Sequence, residues 1–190
     1  MKYMFYGCEN MKKINLLSFN TINCLDMSNM FEKCKQMEFI DLSSFKINNI
    51  INMNNMFLDC NKLNKNFFGR LDFKQLKNLD LNSNQISDIN VLERVDFRQL
   101  QNLNLSSNGI LDIKILENVD FKQLQNLNLS HNEISDINVL ERVDFKQLQQ
   151  LNLSYNIISD ITVLERVDFK QLQNLDLSSN HILQALDINV

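Results

Sequence analysis

Proline and tryptophan are absent from this 190-residue chain, and glycine occurs only at Gly7, Gly69 and Gly109. A fold with many tight turns normally draws on proline for a fixed φ and on glycine for a positive one. Asparagine is abundant instead; it tolerates left-handed backbone and hydrogen-bonds its own chain. An excess of basic charge is also missing: the net charge of −4 leaves no electrostatic footprint for nucleic acid or anionic lipid. No apolar run reaches the roughly 18 residues needed to cross a bilayer, so membrane insertion is not expected. The two histidines, His131 and His181, lie 181 − 131 = 50 residues apart, which argues against a shared catalytic triad. A Gly-rich phosphate loop and a His-rich metal motif are both lacking. No catalytic residue, metal or cofactor is therefore expected, and the chain is not read as an enzyme.

What the sequence has is repetition. Five copies of one phrase stand 24 residues apart: Leu76-x-x-Leu79-x-Leu81-x-x-Asn84, then Leu100 to Asn108, Leu124 to Asn132, Leu148 to Asn156 and Leu172 to Asn180. A fixed period of this size marks a stacked solenoid, in which no unit can bury its apolar face alone. Leucines alternate with Asn78, Asp80 and Asn82, which predicts a short strand with leucines inward and amides outward. Parallel stacking of such strands about 4.8 Å apart gives one sheet along the solenoid. Asn84 and its equivalents end each strand, where a buried amide can satisfy turn backbone above and below. The return segment Ile86–Phe97 approximates helical spacing and predicts a short helix or 3₁₀ turn. Asp88, Asp112, Asp136 and Asp160 are placed to cap these turns.

Before residue 61 a second repeat appears, with a period of 26. Met4-Phe5-x-x-Cys8, Met30-Phe31-x-x-Cys34 and Met56-Phe57-x-x-Cys60 alternate with Met11-x-x-Ile14-x-Leu16-x-x-Phe19 and Met37-x-x-Ile40-x-Leu42-x-x-Phe45. Without a gap, Cys34–Leu42 lies over Phe73–Leu81, which puts Cys8, Cys34 and Cys60 in the slot of Phe73, Phe97, Phe121, Phe145 and Phe169. The cysteines are accordingly expected as buried thiols, not disulfides or metal ligands. Cys24, 26 residues before Ile50, is expected in an apolar column as well. The reading divides the chain into 26-residue repeats over 1–60, a degenerate half-coil at 61–72 where a kink is expected, and 24-residue repeats over 73–190, all in one continuous solenoid.

Residues 71–190 resemble leucine-rich repeats, and Asn84–Leu92 and Asn132–Leu140 carry the Asn-x-Ile-Ser-Asp-Ile-x-x-Leu phrase of a subclass that includes phosphatase regulators. Residues 1–60 resemble BspA-like surface repeats, through Met30-Phe31-Glu32-Lys33-Cys34 and Leu42-Ser43-Ser44-Phe45. The resemblance implies an α/β horseshoe: one curved parallel sheet on the concave side, short helices or 3₁₀ turns on the convex side, and protein recognition by the concave face. Fold alone does not assign a function.

Along the outward strand positions the columns are Asn78/Asn102/Asn126/Gln150/Asn174, Asp80/Asn104/Asn128/Asn152/Asp176 and Ser83/Ser107/His131/Tyr155/Ser179, the last being the most varied. His131 and Tyr155 are one repeat apart and hence neighbours, and tyrosine is favoured in binding hot spots. The expected partner-binding residues are Asn104, Asn128, His131, Asn152 and Tyr155. The expected function is a non-enzymatic interaction module for a protein partner. The alternatives are a piece of a surface-exposed adhesin-type repeat protein and a phosphatase-regulator-like subunit. The apolar stretch before Cys8 is too short for a signal h-region, which predicts a cytoplasmic chain, or a cell-surface one if this is a fragment. Solenoid ends without a polar cap also offer surfaces for end-to-end pairing between chains.

Overall fold

The protein was analysed as a computed structural model, which describes residues 1–46, 52–63 and 74–183. Five strands, β1 (Asn78–Asp80), β2 (Asn102–Asn104), β3 (Asn126–Asn128), β4 (Gln150–Asn152) and β5 (Asn174–Asp176), form one sheet in the order β1-β2-β3-β4-β5. All pairs are parallel and in register, so Leu79, Leu103, Leu127, Leu151 and Leu175 align across the sheet. The period-2 alternation does what it predicts: the central leucine of β1 to β4 is buried and its amide neighbours are turned outward.

Four residues beyond each strand stands an asparagine whose amide joins two coils. The Asn132 Nδ2 group donates to the Leu105 carbonyl of the preceding coil at 3.1 Å and to Leu129 and Ser130 of its own at 2.9 and 3.2 Å. Its Oδ1 accepts from the Ile110 amide at 3.1 Å. Asn108, Asn156 and Asn180 repeat the pattern. Backbone groups that burial would otherwise orphan are satisfied by one side chain per coil.

Return segments form 3₁₀ turns at Asn90–Arg94, Lys114–Asn118, Asn138–Glu141 and Thr162–Glu165. A short return suits the 3₁₀ form, which rises about 2.0 Å per residue against 1.5 Å in an α-helix. The aspartates start these turns from one position earlier than a cap residue. Asp88, Asp112, Asp136 and Asp160 precede Ile89, Ile113, Ile137 and Ile161. Their Oδ1 atoms accept from the amides of Asn90, Lys114, Asn138 and Thr162 at 2.8 to 2.9 Å. On this outer face Arg166 reaches back to Glu141 at 3.1 Å and Arg142 to Glu117. These exposed cross-coil pairs contribute little.

The 26-residue coils extend the same ladder. The Met53 amide donates to the Asp80 carbonyl at 3.1 Å and the Asn55 amide to Asn82 at 2.9 Å, as Leu81 and Ser83 donate to Asn104 and Ser106. Met27 and Asn29 donate in turn to Asn52 and Asn54. This register differs from the gapless alignment. Met27 and Met53, not Ile40 and Leu42, continue the line of Leu81 and Leu105. The phenylalanine eight residues before each is Phe19, Phe45 and Phe97 (27 − 19, 53 − 45 and 105 − 97). The cysteine column therefore does not take the phenylalanine slot: Cys60 comes seven residues after Met53 and lines a small cavity with Ile86. Met53 and Leu81 stand on adjacent rungs of the ladder, 81 − 53 = 28 residues apart in sequence. Phe73, Ile50 and positions 64–72 of the expected junction lie outside the described residues, as do positions 184–190.

Leucines, methionines, thiols and phenyl rings share one hydrophobic interior running through both kinds of coil. Cys34 and Cys60 are fully buried, Cys24 is half-buried, and Cys8 on the first coil is exposed. Phe5, Phe31 and Phe57 stack at 5.3 and 5.6 Å. Phe97, Phe121, Phe145 and Phe169 follow one another at 5.5 to 6.2 Å.

Candidate functional site

The concave face is an open groove of about 790 Å³ across all five strands, lined by Asn78, Asp80, Asn102, Asn104, Asn126, Asn128, Gln150, Asn152, Gln173, Asn174 and Asp176 and the leucines between them. Its side chains are held in place by their own backbone. The Oδ1 atoms of Asn104, Asn128 and Asn152 accept from the amides two residues on, at Ser106, Ser130 and Ser154, over 2.9 to 3.1 Å. The Ser106 and Ser154 hydroxyls add second bonds to Asn104 and Asn152 at 2.6 and 2.7 Å. Beside them Asn126 donates to Asn102, and Asn102 to Asn78, in an amide ladder across the sheet. The turn thus uses the carbonyl end of each amide and turns the NH₂ end along the face, where that of Asn104 donates to the Asp80 carboxyl and those of Asn128 and Asn152 are the groups a ligand would meet.

Carboxylates mark both ends of the groove. Burial pushes the Asp80 carboxyl above its ordinary range, against the opposing hydrogen bonds from Asn82 and Asn104. Asp176, on the last and more open strand, is held below that range by Ser178.

Of the five expected binding residues, Asn104, Asn128 and Asn152 line the groove, whereas His131 and Tyr155 stand three residues farther along and do not. The two rings are neighbours as expected. Their centroids are 4.1 Å apart with planes 9° from parallel, on the rim of the sheet. Two features went unread in the sequence. The column Ser83, Ser107, His131, Tyr155, Ser179 has left-handed backbone throughout, with φ between 52° and 55°, and Tyr3, Asn29 and Asn55 continue it at 54° to 58°. In addition, Ile157 is 42% exposed. The signal for it was present: Ile157 stands where the other repeats have Gln85, Gly109, Glu133 and His181.

Stacked 24-residue coils with a parallel sheet on one side, 3₁₀ turns on the other and an asparagine rung in each define a leucine-rich-repeat solenoid. The comparisons agree. Residues 122–166 match the family described as leucine-rich repeats in two copies, and residues 1–94 match the one described as Mycoplasma protein of unknown function, DUF285, which is compatible with BspA-like repeats. Residues 122–166 are thus leucine-rich repeats by sequence, and the rest of the described solenoid shares their fold.

Among solved structures it is similar to an internalin from Listeria monocytogenes, at 21% identity and TM-score 0.55, over 93% of this chain and 57% of that one. Internalin C2 from the same organism matches at 23% identity and TM-score 0.56, over 84% of this chain and 69% of that one. The functional domain of the Listeria InlJ, which includes a cysteine ladder, matches at 23% and 0.50, over 93% of this chain and 34% of that one. At these identities the likeness shows the fold, and this chain spans just over half the length of the first. Among curated proteins none matches it in sequence. Among the described residues no helix is long and apolar enough to cross a membrane.

Proposed function

We propose that this chain is a non-enzymatic interaction module that binds a protein partner across its concave sheet. The supporting observation is the preorganisation of that face. Asn104, Asn128 and Asn152 are each fixed by a turn bond to the backbone, and Asn104 also by Asp80, so a partner meets amides already ordered at the strand spacing. Ordering such side chains only on binding would cost about 0.5–1.5 kcal/mol for each. The groove is open along its length and carries no basic residue among its lining, which suits an extended polypeptide better than a compact anionic substrate.

The test is a comparison of the parent chain with the triple variant Asn104→Ser, Asn128→Ser, Asn152→Ser. Serine keeps an oxygen for the turn bond but removes the projecting NH₂ groups. Proteins captured by the parent are identified by mass spectrometry, and the purified partner is then titrated against both chains. Loss of at least tenfold in affinity, about 1.4 kcal/mol, at unchanged stability supports the reading. Equal affinity rejects it.

A further inference from the structure

We propose that the rim pair His131–Tyr155, with Ile157 beside it, docks an arginine side chain of the protein partner, its guanidinium stacking on the open face of the Tyr155 ring. The inference rests on the reading that this chain binds protein, and it adds a second contact on the rim and the chemistry of the group recognised there.

The first support is backbone cost. His131 and Tyr155 both have φ of 53°. A left-handed conformation costs a residue with a Cβ on the order of 1 kcal/mol or more, least for short polar side chains that bond locally. The same column answers that cost with Ser83, Ser107 and Ser179 in the other three 24-residue coils. Tyrosine has no such local compensation, so its presence at this position is explained by what the ring does outside.

The second support is the stack. The two rings lie parallel at 4.1 Å, which holds both in one orientation. The rungs on either side are Ser107 and Ser179, whose side chains end one atom beyond Cβ. Each outer ring face therefore looks along the column over a serine. Tyr155 remains 53% exposed, and Ile157, two residues on, is an apolar side chain 42% exposed. A flat group laid on Tyr155 would complete a stack of three.

Charge selects which flat group. The ionisable residues that follow on these two turns are Glu133, Asp136 and Asp160, all exposed carboxylates. Arg142 and Arg166 are held on the outer face by Glu117 and Glu141. These two turns carry carboxylates and no lysine or arginine before Arg142 and Arg166, which favours a cation over a neutral aromatic ring, and a planar stacking site favours guanidinium over the compact, strongly hydrated ammonium of lysine.

The experiment titrates the full chain into fluorescein-labelled hexa-arginine and hexa-lysine and follows polarisation. The peptides carry equal charge, so long-range attraction treats them alike; bidentate pairing with carboxylates favours arginine whether or not Tyr155 is present, whereas stacking adds a preference of up to about tenfold that is lost with the ring. Tyr155→Ser, a residue that this backbone position already accepts in three coils, is expected to bring the two peptides within about twofold of each other. Tyr155→Phe is expected to keep the preference, and Leu17→Ser, an exposed position on the first coil outside both groove and rim, to leave it unchanged. Equal binding of the two peptides by the parent, binding of neither, or an undiminished preference in Tyr155→Ser overturns the proposal. Each of those results leaves the concave-face reading to stand or fall on the groove variant, so the two failures are distinguishable.

Discussion

In the 26-residue coils thiols, together with the hydroxyls of Thr21 and Ser44, make side-chain bonds between neighbouring coils; in the 24-residue coils an amide does so. Cys60 Sγ donates to the Phe31 carbonyl of the preceding coil at 3.0 Å, and Cys34 Sγ to that of Phe5 at 3.2 Å. The neighbouring Cys60 thiol also lowers the pKa of Cys34, against the effect of burial. At the position after the left-handed column, where the 24-residue coils place Asn84 to Asn180, these coils place Met30 and Met56, whose side chains carry no amide.

Two more residues per coil make up the difference. They allow a second left-handed residue, at Gly7, Lys33 and Asp59, four after the first. The backbone ladder then runs on, with the amides of Asn29, Phe31 and Lys33 donating to Asn54, Met56 and Leu58. At the boundary the systems exchange: the Phe57 amide is taken by Asn84 Oδ1 at 2.9 Å. A buried backbone has to be satisfied, and it is satisfied either by more chain or by one asparagine.

Substitutions on the two sides test this comparison by urea denaturation. The largest loss is expected where the halves are alike. Phe31→Ala and Phe121→Ala each remove a fully or nearly fully buried ring and should cost about 4 kcal/mol in a single transition. Two separate transitions would show that the interior is not shared. Next comes the amide rung. Asn132→Ala deletes three donor contacts and the acceptor for Ile110, which should cost about 3 kcal/mol because buried backbone groups are left unpaired. The thiol rung is weaker: Cys60→Ala removes one S–H···O bond and should cost about 1 kcal/mol. If Cys60→Ala matched Asn132→Ala, the division of labour between chain and side chain would be wrong.

The smallest effect is a gain. Burial raises the folded-state pKa of Asp80 above 3.8 while Asn104, Asn128 and Asn152 fill the same column uncharged. An acid that binds its proton more tightly when folded destabilises the fold once ionised. Asp80→Asn should therefore stabilise at pH 7, by no more than about 0.5 kcal/mol for so partly exposed a group. The gain should shrink as pH falls through the raised pKa towards 3.8. Melting temperatures of parent and variant at pH 7 and pH 4 check the sign.

Much of this was legible from spacing. The inward leucines, the asparagine rungs, the turn-starting aspartates and the His131–Tyr155 contact all follow from period and residue type. The candidate site was legible only in part. The column holding Asn104, Asn128 and Asn152 and the column holding His131 and Tyr155 read as one surface, yet the chain turns left-handed between them and separates groove from rim.

A strict period with leucines at alternate positions determines a parallel solenoid by itself, because only stacking can bury those faces. How the two periods join was decided by tertiary structure alone. Cys34 to Leu42 and Phe45 to Met53 both span eight residues between apolar positions, so the pattern permits two alignments of equal length. The hydrogen-bond ladder permits one, since a coil shifted in phase would leave its amides facing no carbonyl on the next.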